Sequence, residues 1–227
     1  MRKYKSQTLI SVVGLAVGFT CFALATLWIV YEMTYDNFHK NAKQIYVVYW
    51  PTSISVSQTG YSRAMTPHSL AAYLKNTFPE VVNAAFLYPP SQDNVTVKDV
   101  TFQSPIIRAD SSFLTMFDVK ILEGSLDYQT FNSMKLAITR EKARQLFGDD
   151  DPIGKTVLRG VWEYTISAVV SGMSKHSNYS FDFIEPFVFP PLPPGSSLIL
   201  NGNTMIELFP GTNVEEFEKK LYDHKSE

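Results

Sequence analysis

Polar and apolar positions change their period several times along the 227 residues, and each change predicts an element. From Thr8 to Tyr31 the run TLISVVGLAVGFTCFALATLWIVY carries no charge. As a helix it is about 36 Å long, enough to cross a hydrocarbon core of about 30 Å. QIYVVYW follows closely; it is β-branched and aromatic and predicts a strand. In TPHSLAAYLKNTFPEV, Leu70, Leu74 and Phe78 recur every fourth residue, which predicts a helix with one buried face. Thr66 is its expected N-cap, Pro67 its first residue and Pro79 its stop. NAAFLY reads as a strand, and NVTVKDVTFQSPIIRAD as a hairpin turning at Lys98–Asp99. DSSFLTMF predicts a short helix capped by Asp110 that buries Phe113 and Phe117. LAITREKARQLFG predicts a strand and then a helix capped by Thr139 and ended by Gly148. VWEYTISAVVSG alternates as a half-buried strand does. NTMIELFPGTNVEEFEKKL gives a last strand and helix, with Asn213 and Glu216 at capping-box spacing.

This order of elements predicts an α+β fold: one N-terminal transmembrane helix (8–31) after a short basic end (1–7), then a domain spanning 32–227. β–α pieces near the start and the end of that domain would build a split βαβ-type layer, with an inserted β-rich lobe at about 95–180. FIEPFVFPPLPPGSSLIL is apolar, but Glu185 and its prolines argue against a second span. Residues 183–200 are therefore expected as a Pro-rich surface connector.

Charge gives the first helix a direction. Arg2, Lys3 and Lys5 precede it, while Glu32 and Asp36 follow it. The positive-inside rule thus puts the N-terminus in the cytoplasm and the bulk of the chain outside. A cleaved signal peptide would use ALA at 23–25, yet the apolar run continues past it through TLWIVY. Ser11, Gly14, Gly18, Cys21 and Ala25 fall at alternating spacings of three and four, a stripe of small residues containing GLAVG. Such a stripe lets helix backbones approach closely, so partner helices are expected to pack on it.

Composition removes function classes more than it adds them. A net charge of −2 supplies no basic field, so nucleic acid is not an expected partner. One cysteine, Cys21, allows no disulfide framework and no cysteine metal site within the chain. None of His39, His68, His176 and His224 stands four residues from another, so no metal or cofactor site is expected. His39 would share a helix face with Asp36, and His68 is expected at the surface in the first turn of its helix. DDDPIGKT has Asp149 where a phosphate loop needs its first glycine, so a turn after a helix end accounts for it better. No catalytic constellation is expected, and the chain does not read as an enzyme.

Six motifs in order resemble a known family. The membrane helix runs into YDNFHKNAKQIYVV, where Asp36, Phe38, His39, Asn41, Ala42, Ile45 and Tyr46 match the D-x-F-H-x-N-A-x-x-I-Y signature of MacB/FtsX-type ABC transporter permeases, in the form common in Bacteroidetes. TPHSLAAYLKNTFPEV, RADSSFLTMFDVKILEGS, LAITREKARQLFGDDDPIGKTV, HSNYSFDF and IELFPGTNVEEFEKKL resemble its later segments. The resemblance implies a periplasmic core domain on the first membrane helix of a permease in the bacterial inner membrane. It also implies pairing with a cytoplasmic ABC ATPase subunit, a dimer, and a periplasmic or outer-membrane partner. Asp36, Phe38, His39, Asn41, Ile45 and Tyr46 would form the helix–domain junction. In such permeases the domain relays ATP-driven movement across the membrane. No run after this domain forms the family's three further membrane helices, so the chain is expected to be truncated before them. The alternative is a stand-alone, membrane-anchored extracytoplasmic binding module.

Overall fold

A computed structural model of the chain describes residues 4–34, 41–49, 65–174, 176–190 and 201–224. The chain forms two compact units, Met1–Phe38 and His39–Glu227. The first contains helix α1, Lys5–Met33, whose segment Gln7–Met33 is long and apolar enough to cross a membrane. Its last turn is closed by Thr34, whose hydroxyl donates to the Val30 carbonyl at 2.9 Å.

The second unit is built on one mixed sheet. Its strands are β1 (Ile45–Val48), β2 (Thr66–Pro67), β3 (Val81–Val97), β4 (Val100–Ala109), β5 (Ile121–Gly124), β6 (Lys135–Thr139), β7 (Thr156–Arg159), β8 (Trp162–Val170), β9 (Phe183–Pro186) and β10 (Asn201–Leu208). The helices are α2 (Ser69–Thr77), α3 (Ser111–Met116), α4 (Arg140–Phe147) and α5 (Val214–His224). Along the sheet the order is β1-β10-β3-β4-β9-β6-β8-β5.

β10 lies between β1 and β3 and runs antiparallel to both. β1 and β3 are thus parallel, joined through α2 and separated by the last strand, which is the expected split βαβ layer. At the other end β7 pairs with both β8 and β3. Strands β3, β4, β9, β6, β8 and β7 therefore close into a ring, and closure removes the free edges an inserted lobe would otherwise expose. β3 belongs to both parts. Its pairing with β4 slips by one residue between Tyr88 and Ser91, where Pro89 and Pro90 stand. A bulge there bends the strand from the layer into the ring.

Alternation assigns the core to three clusters. On one face Leu87, Ile107, Ala137, Ala168 and Ile184 meet Phe113, Met116 and Phe117 of the α3 region. On the opposite face Ala84, Phe86 and Ile206 of the layer bury Leu74 of α2, Phe78 and Phe217 of α5. Further along that face Val95, Ile106, Leu136, Ile138, Ile166 and Phe183 fill the ring with Ala143 and Phe147 of α4.

Most local signals act as expected. Lys98 and Asp99 form the β3–β4 turn with φ of 48° and 65°. The Asp110 carboxylate accepts from the Phe113 backbone N–H at 3.2 Å and from that of Phe86 at 2.7 Å, so it caps α3 and ties it to β3. Burial pushes the Asp110 carboxyl above its ordinary range, although these amide hydrogen bonds pull the other way. Thr139 caps α4, Gly148 ends it at φ 65°, and Asn213 accepts from the Glu216 N–H.

Three expectations need correction. Thr66 is not an N-cap; it is fully buried and its hydroxyl donates to Thr204 Oγ1 at 2.7 Å, so Thr66 and Pro67 pair with β10 and α2 begins two residues later. A buried hydroxyl finds a better partner in the sheet than at an exposed helix end. His68 is half-buried rather than fully at the surface, its ring stacked on Phe189. The connector expected at 183–200 also starts too early, because Phe183–Pro186 is strand β9, inside the sheet between β4 and β6. Pro186 is compatible with this because β6 pairs only with Phe183 and Ile184, which leaves Pro186 at an edge position. Residues 191–200 and the Pro51–Arg63 connection lie outside the described residues.

Candidate functional site

Between the layer core and the ring core, on the face they share, lies a cluster of charges. Strand alternation brings it there: Arg108 follows Ile106 by two, Glu185 follows Phe183 by two, Arg159 follows Val157 by two, and Asp93 precedes Val95 by two. Each charge thus occupies the inward register of an otherwise apolar strand. Glu185 bridges two arginines, taking Arg108 at 2.6 Å on one carboxylate oxygen and Arg159 at 2.5 Å on the other. Arg159 also holds Asp93, through Nη2 at 2.6 Å and Nε at 2.8 Å. The Arg108 guanidinium lies 5.8 Å from the centre of the Tyr88 ring.

Two guanidinium groups and two carboxylates balance one another here. Burial alone would lower the pKa of Arg159, but Glu185 and Asp93 raise it above its ordinary value. Tyr164 is pushed up by burial and then by the Glu185 charge, so it stays a neutral phenol. A cavity of about 60 Å³ beside the cluster is lined by Arg108, Glu185, Tyr164 and Phe187 and by residues 131–135. That volume admits a few waters. With every charge matched and no activated nucleophile, the arrangement is a clamp joining β3, β4, β7 and β9.

A second polar tie fixes α4 to the ring. Lys142, itself buried, reaches Asp182 at 3.1 Å and lies 4.5 Å from the Phe102 ring centre, while the Ser104 hydroxyl also donates to Asp182. Among the described residues no group of three or more His, Cys, Asp or Glu side chains could hold a metal ion.

A large concavity of the domain is apolar. A groove of about 840 Å³ runs between β1, α2 and α5, walled by Tyr46, Val48, Leu70, Leu74, Leu208 and Leu221. At one end the Tyr73 hydroxyl meets His224 Nε2 at 2.5 Å, and His224 sits edge-on to Phe78.

Of the expected junction residues, Asp36, Phe38 and His39 lie outside the described residues. Asn41 donates to Glu207 at 2.6 Å, which fastens the 3₁₀ turn Ala42–Gln44 and the start of β1 to the end of β10. Ile45 and Tyr46 then face opposite ways, Ile45 toward the α3-side core and Tyr46 toward the α2/α5 side. The stripe Ser11, Gly14, Gly18, Cys21 and Ala25 stays together on α1, and Gly14 and Gly18 have open space around them. Sequence reasoning missed the charged clamp. Its members are up to 92 positions apart, from Asp93 to Glu185, and the available signal was a charge at the buried parity of an apolar strand.

The chain matches the family described as the MacB-like periplasmic core domain over residues 8–223. Among solved structures it is similar to a domain assigned to a permease protein of Porphyromonas gingivalis, with 23% identity, TM-score 0.57, and 71% of this chain and 70% of that one covered. It is also similar to the periplasmic region of MacB from Actinobacillus actinomycetemcomitans, with 13% identity, TM-score 0.56, and coverage of 78% and 80%. A third likeness is to the extracellular domain of the noncanonic ABC-type transporter YknZ from Gram-positive bacteria, with 13% identity, TM-score 0.53, and coverage of 75% and 86%. No curated protein matches the chain. The motif order, the split βαβ layer with its closed ring, and a match over nearly the full length agree: this chain belongs to the MacB-like periplasmic core domain family of ABC transporter permeases.

Proposed function

We propose that the chain couples ATP hydrolysis by a cytoplasmic ABC ATPase subunit to movement on the periplasmic side of the bacterial inner membrane. Its N-terminus is cytoplasmic, its bulk periplasmic, and its small-residue stripe packs on other helices of a dimeric or paired permease. The observation that carries this reading is the connection between the two units. Thr34 closes α1 by back-bonding to Val30, and Asn41 is already bonded to Glu207 of β10. Only residues 35–40, YDNFHK, intervene, with no glycine or proline among them. A short connection of this composition transmits displacement that a Gly/Ser linker would absorb.

Inserting Gly-Ser-Gly-Ser-Gly-Ser after Asp36 tests this in cells carrying the complete transporter. Transport-dependent phenotype should fall about tenfold or more while membrane insertion and ATPase association persist. Undiminished transport would sink the coupling role. The helix stripe has its own test. A Cβ at Gly14 or Gly18 meets nothing among the described residues, so Gly14→Leu and Gly18→Leu probe packing on partner helices. Recovery of partner subunits in a pull-down should drop roughly tenfold; an unchanged yield would show that α1 is a solitary anchor.

A second reading, a membrane-anchored binding module, is favoured by the 840 Å³ apolar groove. It predicts that the stripe and linker variants both retain function.

A further inference from the structure

His68 is a titratable group that neither the clamp nor the groove uses. It is the residue before α2, with helical dihedrals and no capping role for its side chain. Its ring stacks on Phe189 at 3.8 Å with an interplanar angle of 10°, and meets Phe86 edge-on at 6.4 Å. Phe187, two residues before Phe189, packs on Phe86 at 4.8 Å and on Tyr88 at 5.8 Å, and its N–H donates to the Ala109 carbonyl at 2.8 Å. One aromatic cluster thus holds residues 187–190, the stretch leaving β9, against β3 and the start of α2. The ring's Nδ1 is buried and has no hydrogen-bond partner among the described residues.

We propose that His68 is a proton-sensitive latch: its neutral ring fastens residues 187–190 through Phe189, and its protonation releases them. An imidazolium must donate from both nitrogens, and among the described residues the buried Nδ1 faces no acceptor. A positive charge at the first turn of α2 also opposes the helix dipole. The attraction of a cation for the Phe189 face works the other way. Burial outweighs it, holding the His68 pKa below 6.5.

Among the described residues no neighbouring carboxylate compensates. On β3 the facing titratable group is Tyr88, and behind it Arg108 is paired with Glu185. On α2 the nearest charge is Lys75, which donates to Asn83. β2 and β10 offer the hydroxyls of Thr66 and Thr204, which bond each other. The sequence 191–200 has no titratable residue, and Arg63 lies outside the described residues. The sign follows. The latched state disfavours the proton, so the latch is fully closed above pH 6.5. It weakens as pH falls through that value toward the lowered one. Below the free imidazole value the opening equilibrium grows by up to about tenfold per pH unit.

The experiment is hydrogen exchange of the Phe187, Val188 and Phe189 amides in the full-length, micelle-embedded chain at pH 7.5 and 5.0, corrected for intrinsic exchange. Wild type should lose protection there at the lower pH, with β4 and β6 amides unchanged. His68→Phe keeps a stacking ring without a titrating group and should show no such loss. Equal protection of wild type at both pH values overturns the latch, as does a loss in His68→Phe equal to that of wild type. Should the variant not fold, the His68 ring resonance in wild type decides: its titration midpoint must coincide with the opening of 187–190, and titration without opening refutes the proposal.

Discussion

Phe113→Ala will destabilise the periplasmic domain by about 3–5 kcal/mol, the range for an aromatic side chain removed from a filled core. Phe113 is fully buried and is the central contact α3 makes with the sheet. Its ring lies 4.8 Å from Phe117 and 6.2 Å from Phe181. That cluster draws on β3, β4, β6, β8, β9 and β10 at once. A cavity there weakens ring and layer together, and α3 is too short to collapse into it while Asp110 holds its N-terminus. Urea unfolding of the micelle-embedded chain should show one transition at a lower midpoint. Two separated transitions would mean that the cluster does not join the two parts.

Glu185→Ala comes next, at about 2–4 kcal/mol, because breaking a largely buried pair leaves uncompensated charge. Glu185 has a side chain only 12% exposed and neutralises two arginines. Without it Arg159 keeps Asp93, while Arg108, 42% exposed, turns to solvent, so the loss falls mainly on Arg159. Glu185→Gln should cost less, since the amide oxygen still accepts from one guanidinium. If both variants match wild type in urea midpoint, the cluster contributes nothing to stability.

The parts of the fold legible in the sequence are those set by local chemistry. The membrane helix, the Lys98–Asp99 turn, the Asp110 and Thr139 caps and the stop at Gly148 each depend on residues a few positions apart. The split layer was also legible, since β–α pieces stood at both ends of the domain. What the sequence hid depends on pairing at a distance. FIEP reads as connector because it is short and ends in proline, yet four residues suffice for β9 when β4 and β6 flank them. Thr66 carried a helix-cap signal, and a threonine 138 positions later decided otherwise. The clamp was invisible for the same reason. A charge two residues from Ile106 or Phe183 shares the buried parity of its strand, but its partners on distant strands cannot be named until the ring is closed.

The place of β10 has a consequence for the order of events on the ribosome. Every strand of the ring lies between Val81 and Pro186, so the ring can close while the rest of the chain is still being made. The layer cannot, because its middle strand is Asn201–Leu208. Until those residues emerge, β1 waits without its neighbour, since its pairing joins residues as far apart as Ile45 and Glu207. Loop closure over such a separation is slow. The strand next to the anchor is thus the first of the domain to be translated and among the last to be folded.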